Sequence, residues 1–233
     1  MDQPKLTIII PAYNEINTIE ILINKVSRIK VDKQVIIIDD NSNDGTKEVI
    51  LNNKDKLDKI IIHETNRGKG AAIKSAQEFV EGKYVIIQDA DLEYDPEDYY
   101  SLLSKIEMNE FNVIYGSRVL KNKNYNRAQN FSHNLRIVGN IFLTKLSNLI
   151  NKQNLTDAHT CYKLFDSNLF KSIKLEENDF SFCPEITTKI SKLNIQISEI
   201  PINYNGRSYQ QGKKIVARDG LKAIWTLFKY RYF

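Results

Sequence analysis

Between residues 84 and 98 the chain reads YVIIQDADLEYDPED, an apolar run that opens directly into an acidic turn. Asp89 and Asp91, one residue apart at the mouth of a buried strand, repel each other and are costly to desolvate unless a cation offsets them. A divalent metal accounts for such a pair most simply. A few carboxylate oxygens suit Mg2+ or Mn2+, which complete their shells with water and diphosphate oxygens. By itself an Asp-x-Asp triplet is a weak signal, because the same residues also cap helices. A second acidic pair, Asp39 and Asp40, follows QVIII, and PAYNE at 11–15 follows LTIII. The chain has no GxxxxGK[ST] loop, and NRGKGAA at 66–72 is not a GxGxxG in a first βα unit. P-loop, kinase-like and dinucleotide-dependent readings therefore lose support.

The elements that must hold these residues are legible as an alternation. Short β-branched runs at 6–10, 34–38, 59–63, 83–88 and 112–116 are separated by amphipathic segments near 17–29, 44–54, 69–81 and 96–108. Continuous apolar strands joined by helices of that length predict βαβ units, hence a doubly wound α/β core whose mostly parallel sheet is covered on both faces. In such sheets ligands bind beyond the carboxyl ends of the strands, where strand order reverses. Both acidic pairs and PAYNE fall on that rim. NDGT at 43–46, NRGKG at 66–70 and DPED at 95–98 each read as a turn into a helix. After residue 117 the alternation weakens. Residues 121–130 read as a flexible polar loop and 131–150 as a long helix. CPEITTKISKL reads as a helix, 195–204 as a strand, and VARDGLKAIWTLFKYRYF as a terminal amphipathic helix.

At 233 residues and 42% hydrophobic, the chain can bury one substantial core, and one domain is expected. Charge is divided unevenly. Residues 1–110 carry 14 Lys and Arg against 21 Asp and Glu, residues 111–156 carry seven bases and no acid, and residues 207–233 carry seven bases against Asp219 alone. The two basic stretches read either as solvated faces or as surfaces for phosphate, nucleic acid or an anionic membrane. No apolar run is long enough to span a bilayer and no signal pattern opens the chain, so a cytosolic location is expected. Cys161 and Cys183 lack the partners of a zinc site or disulfide framework and read as reduced, packed thiols.

Taken in order, IIIPAYNE, IIIDDNSNDGT, NRGKGAA, QDADLEYDP, YGSR, LTDAHTCYKLF and RSYQQGKK resemble the family 2 glycosyltransferases of the GT-A fold. Within them the likeness is greatest to the dolichyl- or polyprenyl-phosphate mannosyl and glucosyl synthases. The resemblance implies a single domain over 1–233, with a nucleotide-sugar half at 1–117, an acceptor half at 118–214 and an amphipathic helix at 215–233. It implies that Pro11, Ala12, Tyr13, Glu15, Asp40, Lys69, Asp89 and Ala90 bind the donor, with Asp40 at the base or ribose. It assigns Asp89, Asp91 and Glu93 to the Mg2+ or Mn2+ ion, and Arg118, Arg136, Arg207 and Lys213 to the acceptor phosphate. Asp91, Asp157 and Arg118 become the catalytic set, Asp157 orienting acceptor or donor sugar. His133 and His159 read as satisfied structural histidines.

The implied reaction is metal-dependent, inverting transfer of a hexose from GDP-mannose or UDP-glucose to polyprenyl phosphate. The implied setting is the cytoplasmic face of a membrane, reached through the terminal helix or a membrane partner, although that helix reads equally as packing on the domain. Two other readings stay open. One is transfer to a sugar hydroxyl of a surface polysaccharide, with Asp157 as general base. The other is a basic nucleic-acid-binding protein, against which stand the acidic rim and the lack of any recognised binding module; in the preferred reading nucleic acid is no partner.

Overall fold

The computed structural model describes residues 3–108, 111–121, 131–207 and 217–233. Of the loop expected at 121–130, Lys121 ends a helix, while 122–130 and the run 208–216 lie outside the described residues, as do the side chains of 121, 131–136 and 217.

The five expected strands form as β1 (Leu6–Ala12), β2 (Lys33–Asp39), β3 (Lys59–Ile62), β4 (Tyr84–Ile87) and β5 (Val113–Ser117). Two more follow, β6 (Lys163–Asp166) and β7 (Ser198–Pro201). Among the described residues these make one seven-stranded sheet in the order β3-β2-β1-β4-β6-β5-β7. All neighbours run parallel except β6, which is antiparallel to both β4 and β5. In β1, β2, β4 and β5 consecutive residues are buried, so both faces of the sheet are covered. Ile8, Ile9 and Ile10 are fully buried, and each such side chain contributes about 1.5–3 kcal/mol of transfer free energy.

The linking helices are α1 (Ile19–Arg28), α2 (Thr46–Asn52), α3 (Lys69–Gln77) and α4 (Asp98–Met108). The second half supplies α5 (Arg118–Lys121), α6 (Phe131–Asn151), α7 (Ser167–Ser172), α8 (Phe182–Lys192) and α9 (Ala217–Tyr232). Two differences from the sequence reading matter. The strand expected over 195–204 shrinks to Ser198–Pro201, because the chain beyond it turns onto the rim: Asn203 donates from its backbone and side chain to Asp98. Strand β6 was not expected at all, since KLF is too short and too evenly buried to show a period.

Strand β6 decides the site. Running against its neighbours, it begins at the rim where β4 and β5 end, and so carries residues 157–162 to the carboxyl side of the sheet. Strand β7, parallel to β5, delivers Ile202 to Arg207 to the same rim, where Asn205 N–H donates to the Glu93 carbonyl. Strand order reverses between β1 and β4, and this is the point the rim residues surround.

Candidate active site

A cavity of about 270 Å³ opens there. Twelve of the expected residues line it: Pro11, Ala12, Tyr13, Glu15, Asp40, Lys69, Asp89, Ala90, Asp91, Glu93, Arg118 and Arg207. The side chain of Arg136, with that of His133, and all of Lys213 lie outside the described residues. A larger hollow, about 410 Å³, lies between the start of β1 and α4, and its Lys5 and Glu107 pair with each other at 3.0 Å.

Asp40 is buried and its oxygens are engaged. Oδ1 accepts from Arg67 N–H at 2.9 Å and meets His63 Nδ1 at 2.6 Å, while Oδ2 accepts from Gly68 N–H at 2.7 Å. It therefore anchors the turn that opens α3, and His63, not singled out from the sequence, holds Asp40 directly while its own Nε2 meets Ser75 Oγ at 2.9 Å. Glycine is required in this turn. Gly68 has φ of 94°, and a Cβ on Gly70 would lie 2.4 Å from the Glu177 carbonyl oxygen. That close approach sets Lys69 into the cavity, where its ammonium bonds Asp89 and lies 3.2 Å from Cys161 Sγ.

Burial works against ionisation at both partners, yet the pair prevails: Lys69 is raised well above its ordinary value and Asp89 lowered. Beneath them Gln88, fully buried, donates to the Asp89 carbonyl at 2.9 Å and accepts from Tyr162 at 2.6 Å. Asp91 is different. Burial, then Asp89 and Glu93, push its carboxyl up to about 7, with Arg207 only partly offsetting them.

Arg207 reaches Asp91 Oδ2 at 2.9 Å and Glu15 through two bonds of 2.9 and 3.1 Å. Glu93 accepts from Tyr204 OH and from Arg207 N–H, both at 2.7 Å. Among the described residues no three His, Cys, Asp or Glu side chains gather as a metal-ligand set. Asp89 and Asp91 nonetheless fit a hard ion that draws its remaining ligands from water and phosphate. Four carboxylates, Glu15, Asp89, Asp91 and Glu93, line this side of the cavity with Lys69 and Arg207 bonded to them, and such an ion would add further positive charge.

Arg118 lines the same cavity. Its Nε and Nη2 donate to Asp157 at 2.6 and 2.7 Å, its backbone N–H adds a third bond at 3.2 Å, and Asn140 a fourth at 3.2 Å. Burial opposes the charge of Asp157, but Arg118 brings its carboxyl down to about 2. Asp157 is 0% exposed and does not line the cavity. Its oxygens accept from Arg118 and Asn140, so in this structure Asp157 holds the Arg118 guanidinium in place.

His159 differs at one atom from the satisfied structural histidine expected. It lines the cavity, its Nε2 is buried without a hydrogen-bond partner, and burial followed by the Lys163 charge lowers it to about 4. Lys163, fully buried at the start of β6, ties the loop by donating to the carbonyls of Ala158, at 3.1 Å, and Thr160. Tyr94, Phe180, Cys161, Cys183 and Tyr204 also line the cavity and were not singled out as site residues, since nothing in an apolar or thiol position signals a rim. Both cysteines are free thiols.

Away from the cavity, α9 packs against α8 and α6, burying Ala223, Thr226, Leu227 and Tyr230. Its outer face shows Leu221, Trp225, Phe228 and Tyr232. On α6 the exposed residues Val138, Phe142, Lys145 and Leu149 repeat the same i, i+4, i+7, i+11 spacing. The terminal helix thus packs on the protein and still presents an apolar stripe. Among the described residues no helix is long and apolar enough to cross a membrane.

Comparison with known proteins agrees with this architecture. The family model described as glycosyl transferase family 2 matches residues 7–174. A low-salt glycan biosynthesis hexosyltransferase of Haloferax volcanii is 28% identical over 88% of this chain, which spans only 48% of that relative's length. A dolichyl-phosphate beta-glucosyltransferase of Trichomonas vaginalis is 30% identical, covering 98% of this chain and 73% of its own. A glucosyl-3-phosphoglycerate synthase of Mycobacterium tuberculosis, solved with Mg2+ and uridine diphosphate, superposes with a TM-score of 0.73 at 15% identity, covering 98% of this chain and 79% of its own. A mannosyl-3-phosphoglycerate synthase of Rubrobacter xylanophilus gives 0.67 at 17%, covering 97% and 72%. At those identities the structures establish the GT-A fold. With the family model covering most of the chain, the protein belongs to the family 2 glycosyltransferases.

Proposed function

We propose that this chain transfers a hexose from a nucleotide sugar to a polyprenyl or dolichyl phosphate, with inversion at the anomeric carbon and with Mg2+ or Mn2+ at Asp89 and Asp91. The observation that carries this reading is that one cavity is lined both by the carboxylates Asp89, Asp91 and Glu93 and by Arg118, a guanidinium held in place by a buried carboxylate. Relatives named dolichyl-phosphate beta-glucosyltransferase, and one named for N-acetylglucosamine transfer from UDP to dolichyl phosphate, support the acceptor class. The glucosyl relatives favour a UDP-glucose donor over GDP-mannose.

In this reading the turn held by Asp40 shapes the nucleotide end, and Lys69 keeps Asp89 ionised. When bound, the divalent ion supplies Lewis-acid stabilisation of the leaving diphosphate, with Asp89 and Asp91 as its holders and Glu93 beside them. Arg118 grips the acceptor phosphate, whose oxygens match a guanidinium fork. A phosphate monoester with its second ionisation near ~6 is already a nucleophile at neutral pH, so no general base is needed. The apolar stripes of α6 and α9, flanked by exposed Lys145, Lys152, Arg218 and Lys222, would rest on an anionic lipid surface at the cytoplasmic face.

The test is a transfer assay of the purified protein with a panel of sugar nucleotides and a short polyprenyl phosphate, with and without Mn2+. Transfer is expected only with the metal, and Asp89→Ala or Asp91→Ala should abolish it while leaving the fold intact. Undiminished transfer in EDTA refutes the metal role. Transfer to a sugar hydroxyl with lipid phosphate inert refutes the acceptor.

A further inference from the structure

Arg207 stands among three carboxylates of the cavity, Glu15, Asp91 and Glu93. Its guanidinium holds both oxygens of Glu15 and Oδ2 of Asp91, while its Nε is buried without a hydrogen-bond partner, 3.9 Å from Glu93 Oε1. An arginine fork with one orphaned donor is incompletely matched to its surroundings and forfeits part of what its other bonds contribute.

Three of the four oxygens of the two metal-site aspartates are already in use. Asp89 Oδ1 is taken by Lys69, Asp91 Oδ1 accepts from Glu93 N–H at 3.0 Å, and Asp91 Oδ2 is taken by Arg207. A divalent ion that binds at Asp91 Oδ2 meets Arg207 there, and two cations on one carboxylate oxygen repel. Glu15 gives Arg207 a second anchor of two bonds, so losing Asp91 does not cast it loose.

We propose that Arg207 and the divalent ion are alternative cation partners of Asp91: Arg207 neutralises the empty site from its anchor on Glu15, and metal binding displaces it from Asp91. Once displaced, the guanidinium keeps Glu15 on one side and has donors to offer the phosphate groups that arrive with the metal. This makes Arg207 a positioning residue of the donor site, a role distinct from the acceptor grip expected from the sequence. The inference rests on the metal reading above, which has its own test in Asp91→Ala.

The experiment is a Mn2+ titration of the apo protein followed by the electron paramagnetic resonance of free Mn2+, at ionic strengths of about 0.1 M and about 1 M. At the higher value the Debye length is about 3 Å, so a through-space effect of charge is largely screened whereas a contact exchange persists. Arg207→Met is expected to tighten Mn2+ binding about tenfold at both ionic strengths, the equivalent of about 1.4 kcal/mol. Arg207→Lys, which keeps the charge and loses the fork, should shift in the same direction by less and serves if the Met variant does not fold. Unchanged or weaker binding, or tightening that vanishes at about 1 M, overturns the exchange. If Mn2+ binds wild type but not Asp91→Ala, the metal reading stands whatever the Arg207 variants do.

Discussion

Replacing Asp157 with Asn removes one charge and almost no volume, and it separates a positioning carboxylate from a catalytic one. The wild-type carboxyl is held at about 2 against an ordinary 3.8. At 1.36 kcal/mol per unit this differential binding is worth about 2 kcal/mol of stability. Asp157 is fully buried and Arg118 13% exposed on its side chain, so little is lost to solvent screening. Breaking a buried pair on one side costs about 3–5 kcal/mol, and partial hydration of Arg118 brings the expected loss to about 2–4 kcal/mol. In a chain of this size that lowers Tm by roughly 4–16 °C. The carboxyl is depressed in the folded state, so its contribution is complete above the unfolded value and disappears as pH falls through the folded one. In urea unfolding the gap between wild type and Asp157→Asn should be constant from about pH 8 to about pH 5 and close between about pH 4 and about pH 2. In transfer assays the variant should lose kcat/KM for the lipid phosphate while its pH profile between about 6 and 9 keeps the wild-type shape, because a group titrating at about 2 contributes no limb there. An acidic limb present in wild type and missing in the variant would falsify the positioning role and restore Asp157 as a base.

Three further outcomes follow from the same geometry. His159, lowered to about 4 from 6.5, is neutral in both states above the unfolded value, so stability should fall as pH drops from about 6.5 towards 4. His159→Gln should remove about 2 kcal/mol of the loss accumulated by pH ~5, and an unchanged pH dependence in urea titrations argues against a neutral folded imidazole. Gly70→Ala should cost at least about 2 kcal/mol and disturb Lys69, because its Cβ meets backbone of residues 177–179 within 3.0 Å; a variant as stable as wild type would mean this turn is looser than drawn. Phe142→Ser with Trp225→Ser should change stability by no more than about 0.5 kcal/mol each yet weaken flotation with anionic vesicles about tenfold, and undiminished flotation removes the α6 and α9 faces as the docking surface.

Much of this protein was legible from order along the chain. The apolar runs of β1 to β5 and the amphipathic segments between them repeat on the scale of one βα unit, so local period alone indicated a parallel sheet and a ligand-bearing rim. The acidic residues at the ends of β2 and β4 fell on that rim because a strand's last residue is known once the strand is. What the order could not convey was who faces whom. Asp157 and Arg118 are 39 positions apart and Arg207 and Glu15 are 192 apart, and their pairing follows from β6 running backwards between β4 and β5 and from β7 ending at the same edge. Those placements are settled by nonlocal strand pairing, which leaves no periodic mark in four residues. Charge likewise was visible as composition, but whether a carboxylate serves as ligand, anchor or partner depends on the desolvation and the neighbours that only the folded chain assembles: Asp89 and Asp157 are lowered by their cations while Asp91, of the same residue type, is raised.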